Sequence, residues 1–410
     1  MAVTALYVHV PFCAQKCRYC DFDSRSFAAC DLDAALDSYF EQLYARLDSF
    51  SDAGALAQVR TVYIGGGTPS LAGERLVKLA RRISMWCKPV EFTCEANPES
   101  LTAELATALA EAGVTRISLG VQTLDNTELA AIGRIHDANR ALAAIATVKD
   151  AGLDVSCDLM CGLPGQTAAS WRSTLDGVLA AAPHHVSVYP LTLEEGTPLY
   201  RMACRDESLE PDEDFQASCM DAARERLGTA GYRPYEVASY ALDGHECAHN
   251  IAYWTGRGYL GLGRSAAGML DDEDFDRLAG LFPGVSSRGD AYRVRLVQRD
   301  DDATAFEAEY LSQREAVAED LMLACRMTRG VASDLLARAA CVIPTGELAA
   351  ACDRALELGL ATWVPETLWG HEGPFTTADV VAGHVRARLA PTHLGWLDGN
   401  VLFELFWDLA

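Results

Sequence analysis

The chain has 410 residues, 50% of them hydrophobic and 22% charged, which allows two or three domains and excludes a mini-protein, a collagen-like repeat and extended disorder. Against 58 Asp and Glu stand 34 Lys and Arg, a net charge of −24 whose field repels phosphate backbones and anionic headgroups, so a nucleic-acid partner is not expected. No apolar run approaches the roughly 20 residues of a membrane-spanning helix, and the start, Met1-Ala2-Val3-Thr4-Ala5-Leu6, lacks the basic region of an export signal. A cytoplasmic protein with reduced thiols is the expectation.

In chain order, short β-rich runs at 6–10, 61–64, 91–94, 116–120, 155–160 and 185–191 alternate with segments of helical period. Leu36, Tyr39, Phe40, Leu43, Leu47 and Phe50 form one such segment, and Trp171, Leu175, Val178 and Leu179 another. Six βα units in succession imply an α/β fold of parallel strands joined by right-handed crossovers. The expected form is a partial (β/α)6 barrel over residues 1–230, with a doubly wound open sheet as the alternative. Either architecture gathers ligands at the carboxyl ends of its strands, where this chain places a cysteine loop, Gly65-Gly66-Gly67-Thr68-Pro69, Glu95-Ala96-Asn97-Pro98, Gly120-Val121-Gln122, Asp158 and Gly162-Leu163-Pro164-Gly165-Gln166-Thr167. After about residue 230 the alternation stops. Residues 231–311 read as a small α+β region with strands around 232–240 and 292–297. Residues 312–410 read as a mainly helical, winged-helix-like region with helices at 316–326, 348–358 and 402–409 and a strand at 360–364.

The loop Cys13-Ala14-Gln15-Lys16-Cys17-Arg18-Tyr19-Cys20 puts three thiols within eight residues, close enough to hold one polynuclear centre. It supplies three ligands, not four. A structural zinc site closes its tetrahedron with protein groups, and no second cysteine pair is near in sequence. A four-iron cluster on three cysteines keeps one iron open to a non-protein ligand. A zinc-stabilised nucleotide-binding module and inert core cysteines are the alternatives. Taken singly, the glycine run also reads as a tight turn, Arg134 and Asp158 as an ion pair across the barrel mouth, and Glu95 as a turn or helix cap.

The cysteine loop after a first strand resembles the signature of the radical S-adenosylmethionine superfamily. Together with Tyr7-Val8-His9-Val10-Pro11-Phe12-Cys13, Gly133-Arg134-Ile135-His136 and the strand-end motifs above, it is similar to the oxygen-independent coproporphyrinogen III oxidase group, and within that to its haem-chaperone (HemW) subgroup, over nearly the whole chain. The resemblance implies a [4Fe-4S] cluster on Cys13, Cys17 and Cys20, with S-adenosylmethionine chelating the open iron and cleavable to a deoxyadenosyl radical. It implies cofactor contacts from Tyr7, Tyr19, Gly66, Gly67, Thr68 and Glu95, with Gln122, Arg134 and Asp158 further out, and assigns no catalytic residue.

Two departures favour the chaperone subgroup over the oxidases, which turn propionates into vinyl groups. The oxidases carry a further cysteine two residues after the third ligand, where this chain has Phe22, and an N-terminal extension, where only a few residues precede Tyr7. His249-Asn250-Ile251-Ala252-Tyr253-Trp254 matches the HNxxYW segment associated with haem in that subgroup. On a helix, His249 and Tyr253 would share a face, with Trp254 beside them and Cys247 as a competing soft ligand. The alternative is that His249 and Asn250 hold a loop over an aromatic cluster. A histidine usual in the related stretch is replaced by Ala267. The implied partners are haem as cargo, recipient haem proteins including respiratory ones, and an electron donor for the cluster. There is room for a peripheral membrane contact and for a homodimer.

Overall fold

The computed structural model describes residues 3–26, 29–366 and 376–410; Met1 and Ala2, read above for an export signal, lie outside them. The first half runs β1 (Ala5–Val10), β2 (Phe12–Cys13), β3 (Arg25–Ser26), α1 (Ala29–Asp52), β4 (Thr61–Gly66), α2 (Glu74–Cys87), β5 (Glu91–Ala96), α3 (Ala103–Glu111), β6 (Arg116–Gln122), α4 (Asn126–Ala131), α5 (Ala138–Asp150), β7 (Asp154–Cys161), α6 (Ala168–Ala181), β8 (His185–Pro190), α7 (Pro198–Ala203) and α8 (Glu213–Thr229). There follow β9 (Arg233–Pro234), β10 (Ser239–Ala241), α9 (Ala248–Trp254), β11 (Tyr259–Leu262), β12 (Ala267–Asp271), α10 (Asp272–Leu278), β13 (Arg293–Gln298) and β14 (Phe306–Leu311). The chain ends with α11 (Gln313–Cys325), α12 (Ser333–Ala340), α13 (Thr345–Glu357), β15 (Ala361–Pro365), α14 (Thr377–Val381), β16 (Ala387–Pro391), α15 (His393–Leu397) and α16 (Gly399–Trp407).

The six expected βα strands are all present, and β1, β4, β5, β6, β7 and β8 pair side by side in parallel. Alternation along them explains the layering. Val62, Ile64, Phe92, Ile117, Leu119, Val155, Leu159, Val186 and Val188 join Leu76, Ile83, Leu109, Ile145, Val148 and Leu175 of the helices in one core, each side chain gaining roughly 1.5–3 kcal/mol from burial. The intervening positions are polar and face the concave side of the sheet. Side-chain caps start the helices where the sequence turns from strand: Thr102, Asp125 and Asp137 accept backbone N–H bonds, and Thr167 with Ser170 forms a capping box.

Two differences from the sequence reading have clear causes. The strand expected at 232–240 is broken into β9 and β10, because Pro234 offers no N–H and the chain turns back so that Tyr235 N–H meets Ser239 O at 3.2 Å. Residues 231–311 do not stand apart from the main sheet. Instead β11 pairs in parallel with β1, and β12, β13 and β14 continue antiparallel from it, giving a twelve-stranded open sheet with β14 and β9 at its ends. Pairing with β11 covers an edge that β1 would otherwise present to solvent.

The helical C-terminal region has a core of its own, including Leu321, Leu336, Leu348, Leu389 and Phe406. It is tied to β13 by a buried charge cluster. Asp320 accepts from both terminal nitrogens of Arg293 at 2.7 and 2.9 Å and from Arg338 at 2.7 Å, and the Asp320 side chain is 2% exposed. Removing the carboxylate strands a buried guanidinium. Asp320→Ala is therefore expected to lower unfolding free energy by about 3–5 kcal/mol, read as a lower urea midpoint at unchanged slope; a loss below about 1 kcal/mol, the worth of an exposed pair, would contradict this account.

Candidate functional site

The concave face encloses a cavity of about 350 Å³, within the range of small-molecule sites. Cys13, Cys17 and Cys20 line its mouth at the carboxyl end of the strands, and Arg116, His185, Cys247 and Asn250 line its floor. The cysteine loop is shaped by short-range bonds and by the segment after β6. Cys20 N–H meets Cys17 O at 3.3 Å, Arg18 N–H donates to Ile132 O at 2.9 Å, and Gln15 Nε2 donates to Gly133 O at 3.1 Å. Arg134 contacts Cys17 Sγ at 3.4 Å, Asn97 Oδ1 at 2.9 Å and the Gly120 carbonyl. Arg134 thus spends its contacts on bracing the loop and not on the alternative ion pair with Asp158, which accepts from Ser118 at 3.1 Å. Behind the loop, Asp23 accepts from Arg264 Nε at 2.9 Å and from Ser265, anchoring it to the residues between β11 and β12.

The glycines form a cradle. A Cβ on Gly67 would lie 2.6 Å from Phe12 O and 2.9 Å from Cys13 Sγ, and one on Gly66, whose φ is 117°, 2.7 Å from the His9 ring. Only glycine allows so close an approach of backbone to sulfur. Gly66 N–H donates to Glu95 Oε2 at 3.0 Å and Tyr63 OH to Glu95 Oε1 at 2.9 Å, so Glu95 serves the cavity and not a helix cap. Thr68 Oγ1 accepts from Asn97 Nδ2 at 3.0 Å. Gln122 reaches the lining through a bulge opposite β7 and a left-handed φ of 66°, a strained conformation of the kind found where a side chain is aimed at a ligand.

The electrostatics show what the cavity accepts. Burial, and then the charge of Asp158, push Glu95 up to about 7; burial pushes Asp158 up to about 6 against hydrogen bonds from Ser187 and Ser118. Burial also raises the Cys13 thiol and carries Cys20 to about 11, so their ionisation would call for a metal cation beside them. Thr93 Oγ1 and Arg116 Nε are buried without hydrogen-bond partners and border the cavity. Three thiols at the rim with polar groups beneath suit an iron–sulfur cluster carrying a polar, partly cationic nucleotide.

Of the other expected contacts, Tyr19 lines the cavity and packs beside Ile132, Met160 and Leu199. Tyr7 lies outside the lining; its hydroxyl bonds His9 Nδ1 at 2.9 Å and its ring stacks on Tyr63 at 6.3 Å. Gln166 accepts from Gly162 N–H at 2.7 Å and donates to Glu128 at 3.1 Å, which makes 162–167 a turn-forming segment. The sequence reading missed Tyr63, Thr93, Arg116, Ser118, Ser156, His185 and Ser187, all in the lining. Their signal was available: a polar residue at every second position of strands whose other positions are apolar.

The segment at 247–254 contributes Cys247 and Asn250 to the floor. Its helix, α9, carries His249 and Tyr253 on one face, with His249 Nε2 and Tyr253 OH 3.0 Å apart. His249 Nδ1 lies 3.1 Å from Thr61 Oγ1, and the ring sits between Tyr63 and Tyr253 at 1% exposure. Burial drives His249 down to about 3, so it is a neutral ring with both nitrogens engaged, and an iron ion would reach it only after α9 is displaced. Cys247 Sγ faces Glu91 at 3.4 Å, and the Trp254 ring lies under the Arg326 guanidinium at 4.5 Å.

The Radical SAM superfamily profile matches residues 7–178. The chain is 34% identical over 330 residues to the heme chaperone HemW of Lactococcus lactis, covering 79% of this chain and 82% of that protein. It is 35% identical over 321 residues to HemW of Escherichia coli, covering 77% and 83%. The chain belongs to the HemW family. The coproporphyrinogen III oxidase HemN of Escherichia coli, a radical SAM enzyme, shares the fold at a TM-score of 0.73 over 100% of this chain and 91% of that one, with 19% sequence identity. A radical SAM protein of the HemW family holds a [4Fe-4S] cluster and S-adenosylmethionine, and the cavity's thiols, glycine cradle and buried carboxylates fit that pair. When bound, the reduced cluster supplies the electron that can cleave the sulfonium.

Two outcomes follow for this HemW-family chain. Gly67→Ala should lower iron bound per chain at least several-fold while far-UV circular dichroism is unchanged, because Cβ displaces either Phe12 or Cys13; full iron loading would contradict the cradle. Glu95 has a folded pKa above its unfolded value, so its stabilising contribution is complete below about pH 4.5 and is lost as pH rises through about 7. In protein without cofactors, Glu95→Gln should therefore raise the melting temperature at pH 8 and lose that advantage at pH 5; an equal effect at both pH values would sink the assignment.

Proposed function

We propose that this chain is a haem chaperone of HemW type, in which Cys13, Cys17 and Cys20 hold the cluster, the glycine cradle with Thr68, Glu95 and Tyr19 holds S-adenosylmethionine, and haem is handed to recipient haem proteins. The observation that carries the reading is extended similarity to HemW proteins together with a cavity whose mouth holds the three thiols. Phe22, 57% exposed at that mouth, stands where the oxidases that the sequence resembles have a further cysteine, which favours carriage over propionate decarboxylation. Tyr7 acts one layer out, through its stack on Tyr63. Gln122, Arg134 and Asp158 order the outer part of the cavity, Arg134 by bracing Cys17.

Haem contact is assigned to Cys247, His249, Tyr253 and Trp254, reached by displacement of α9. The three regions 1–230, 231–311 and 312–410 serve as cofactor domain, carrier of the haem segment and helical C-terminal domain. The chain works in the cytoplasm with an electron donor for its cluster and with respiratory haem proteins among its recipients, and the reading has room for a homodimer and for a peripheral membrane contact. Among the described residues no helix is long and apolar enough to cross a membrane.

The test uses cluster-loaded protein with hemin. Stoichiometric haem binding and transfer to a haem-free recipient are expected, and His249→Ala should weaken haem loading with cluster absorption intact; unchanged loading removes α9 from the proposal. Release of carbon dioxide from coproporphyrinogen III by reduced protein with S-adenosylmethionine would replace carriage by the oxidase reaction.

A further inference from the structure

On the underside of the sheet, at the end opposite the cysteine loop, three segments bring together Asp154, His184 and His245. Asp154 opens β7, His184 immediately precedes β8, and His245 comes from the turn between β10 and α9. Asp154 Oδ2 lies 2.9 Å from His245 Nδ1 and Asp154 Oδ1 3.8 Å from His184 Nδ1. The two imidazoles lie 4.7 Å apart between centroids at 32°, and one ligand atom from each of the three residues falls within 4.8 Å of the others. In a tetrahedral site with metal–nitrogen bonds of about 2.0–2.1 Å, ligand atoms stand about 3.3 Å apart, so the separations present need only side-chain adjustment.

We propose that Asp154, His184 and His245 form a second, mononuclear site for a divalent transition-metal ion of the zinc type, independent of the cluster loop. Two imidazoles and one carboxylate are the donor set such ions take, whereas magnesium and calcium prefer oxygen alone. The framework is built before any ion arrives. Asp154 and His184 are fixed by neighbouring strands, with His184 N–H on Val155 O at 2.9 Å, and the turn carrying His245 is held by Leu242 N–H on His184 O at 3.0 Å and by Arg116 on His245 O at 2.8 Å.

Val155 N–H donates to His184 Nδ1 at 3.1 Å, so Nδ1 is the unprotonated nitrogen of that ring, and an ion bound there takes its lone pair from this amide. The cations that act on His184, Lys149 and Arg116, are both held by other partners. Lys149 is engaged by the Ala181 and Ala182 carbonyls, and Arg116 pairs with Glu91. All three side chains are about one-third exposed, at 34%, 28% and 32%, which leaves the fourth position open to water. An ion there staples the turn before α9 to the start of β7 and β8.

The test uses full-length, cluster-loaded protein, so that the three thiols are already occupied, dialysed anaerobically against Zn²⁺ in excess Mg²⁺. One zinc per chain is expected, with a nitrogen and oxygen shell at about 2.0–2.1 Å showing imidazole scattering in zinc-edge X-ray absorption. His245→Gln and Asp154→Asn should each weaken zinc binding by about tenfold or more at unchanged iron content. His393→Gln, in another His and Asp pair facing Asp221 at 3.0 Å, should leave binding as in the wild type. Failure to retain zinc, a sulfur-containing shell, or undiminished binding in His245→Gln overturns the proposal; the absorption spectrum of the unmutated protein decides it even if a variant misfolds.

Discussion

The structure depends on one unusual division of labour within its strands: both faces are buried, but only one is apolar. Phe92, Ile117, Val155 and Val186 meet the helices, while Thr93, Ser118, Ser156 and Ser187 on the same strands face a cavity. Burying polar groups costs free energy unless they find partners. Most do, as in the Ser118 to Asp158 and Tyr63 to Glu95 bonds. Those that do not, such as Thr93 Oγ1 and Arg116 Nε, belong to residues that line the cavity. The apolar helix layer supplies the stability that lets the other face keep two buried carboxylates.

The rim and the floor are held in different ways. At the rim, loops contribute: Arg134 braces Cys17, and Asp23 ties the loop to Arg264. At the floor, Glu91 accepts from Ala248 and His249 N–H groups at 2.7 and 2.9 Å and pairs with Arg116 at 3.2 Å, so α9 is fixed by strand-start charges. This explains why His249, a candidate haem ligand in the sequence, is a sealed core residue. A ring with both nitrogens satisfied is stable where it is, and its use as a ligand carries the cost of moving a helix.

The strands were legible because alternation of polar and apolar residues between helical periods is a local property. Continuity of the sheet through β11 was not, since Ala5 and Tyr259 are joined by a pairing that no nearby residue announces. The cavity was half legible. Glu95 and Asp158 follow conspicuous strand ends, but Ser118, Ser156 and Ser187 look like ordinary strand polar residues until curvature turns them to one centre. Arg134 and Asp158, both buried charges, invite pairing on paper; in space a sulfur, a carbonyl and an amide claim the arginine first.

By itself the sequence determined the three-thiol loop, the glycine run beside it and the βα order, because each is encoded within a few residues or one repeating period. The tertiary structure alone decided that His249 is enclosed, that Tyr63 and Arg116 belong to the cavity, and that Asp154, His184 and His245 converge. Those arrangements join residues 29 to 188 positions apart, and their geometry is set by strand pairing and the packing of α9, not by any local pattern.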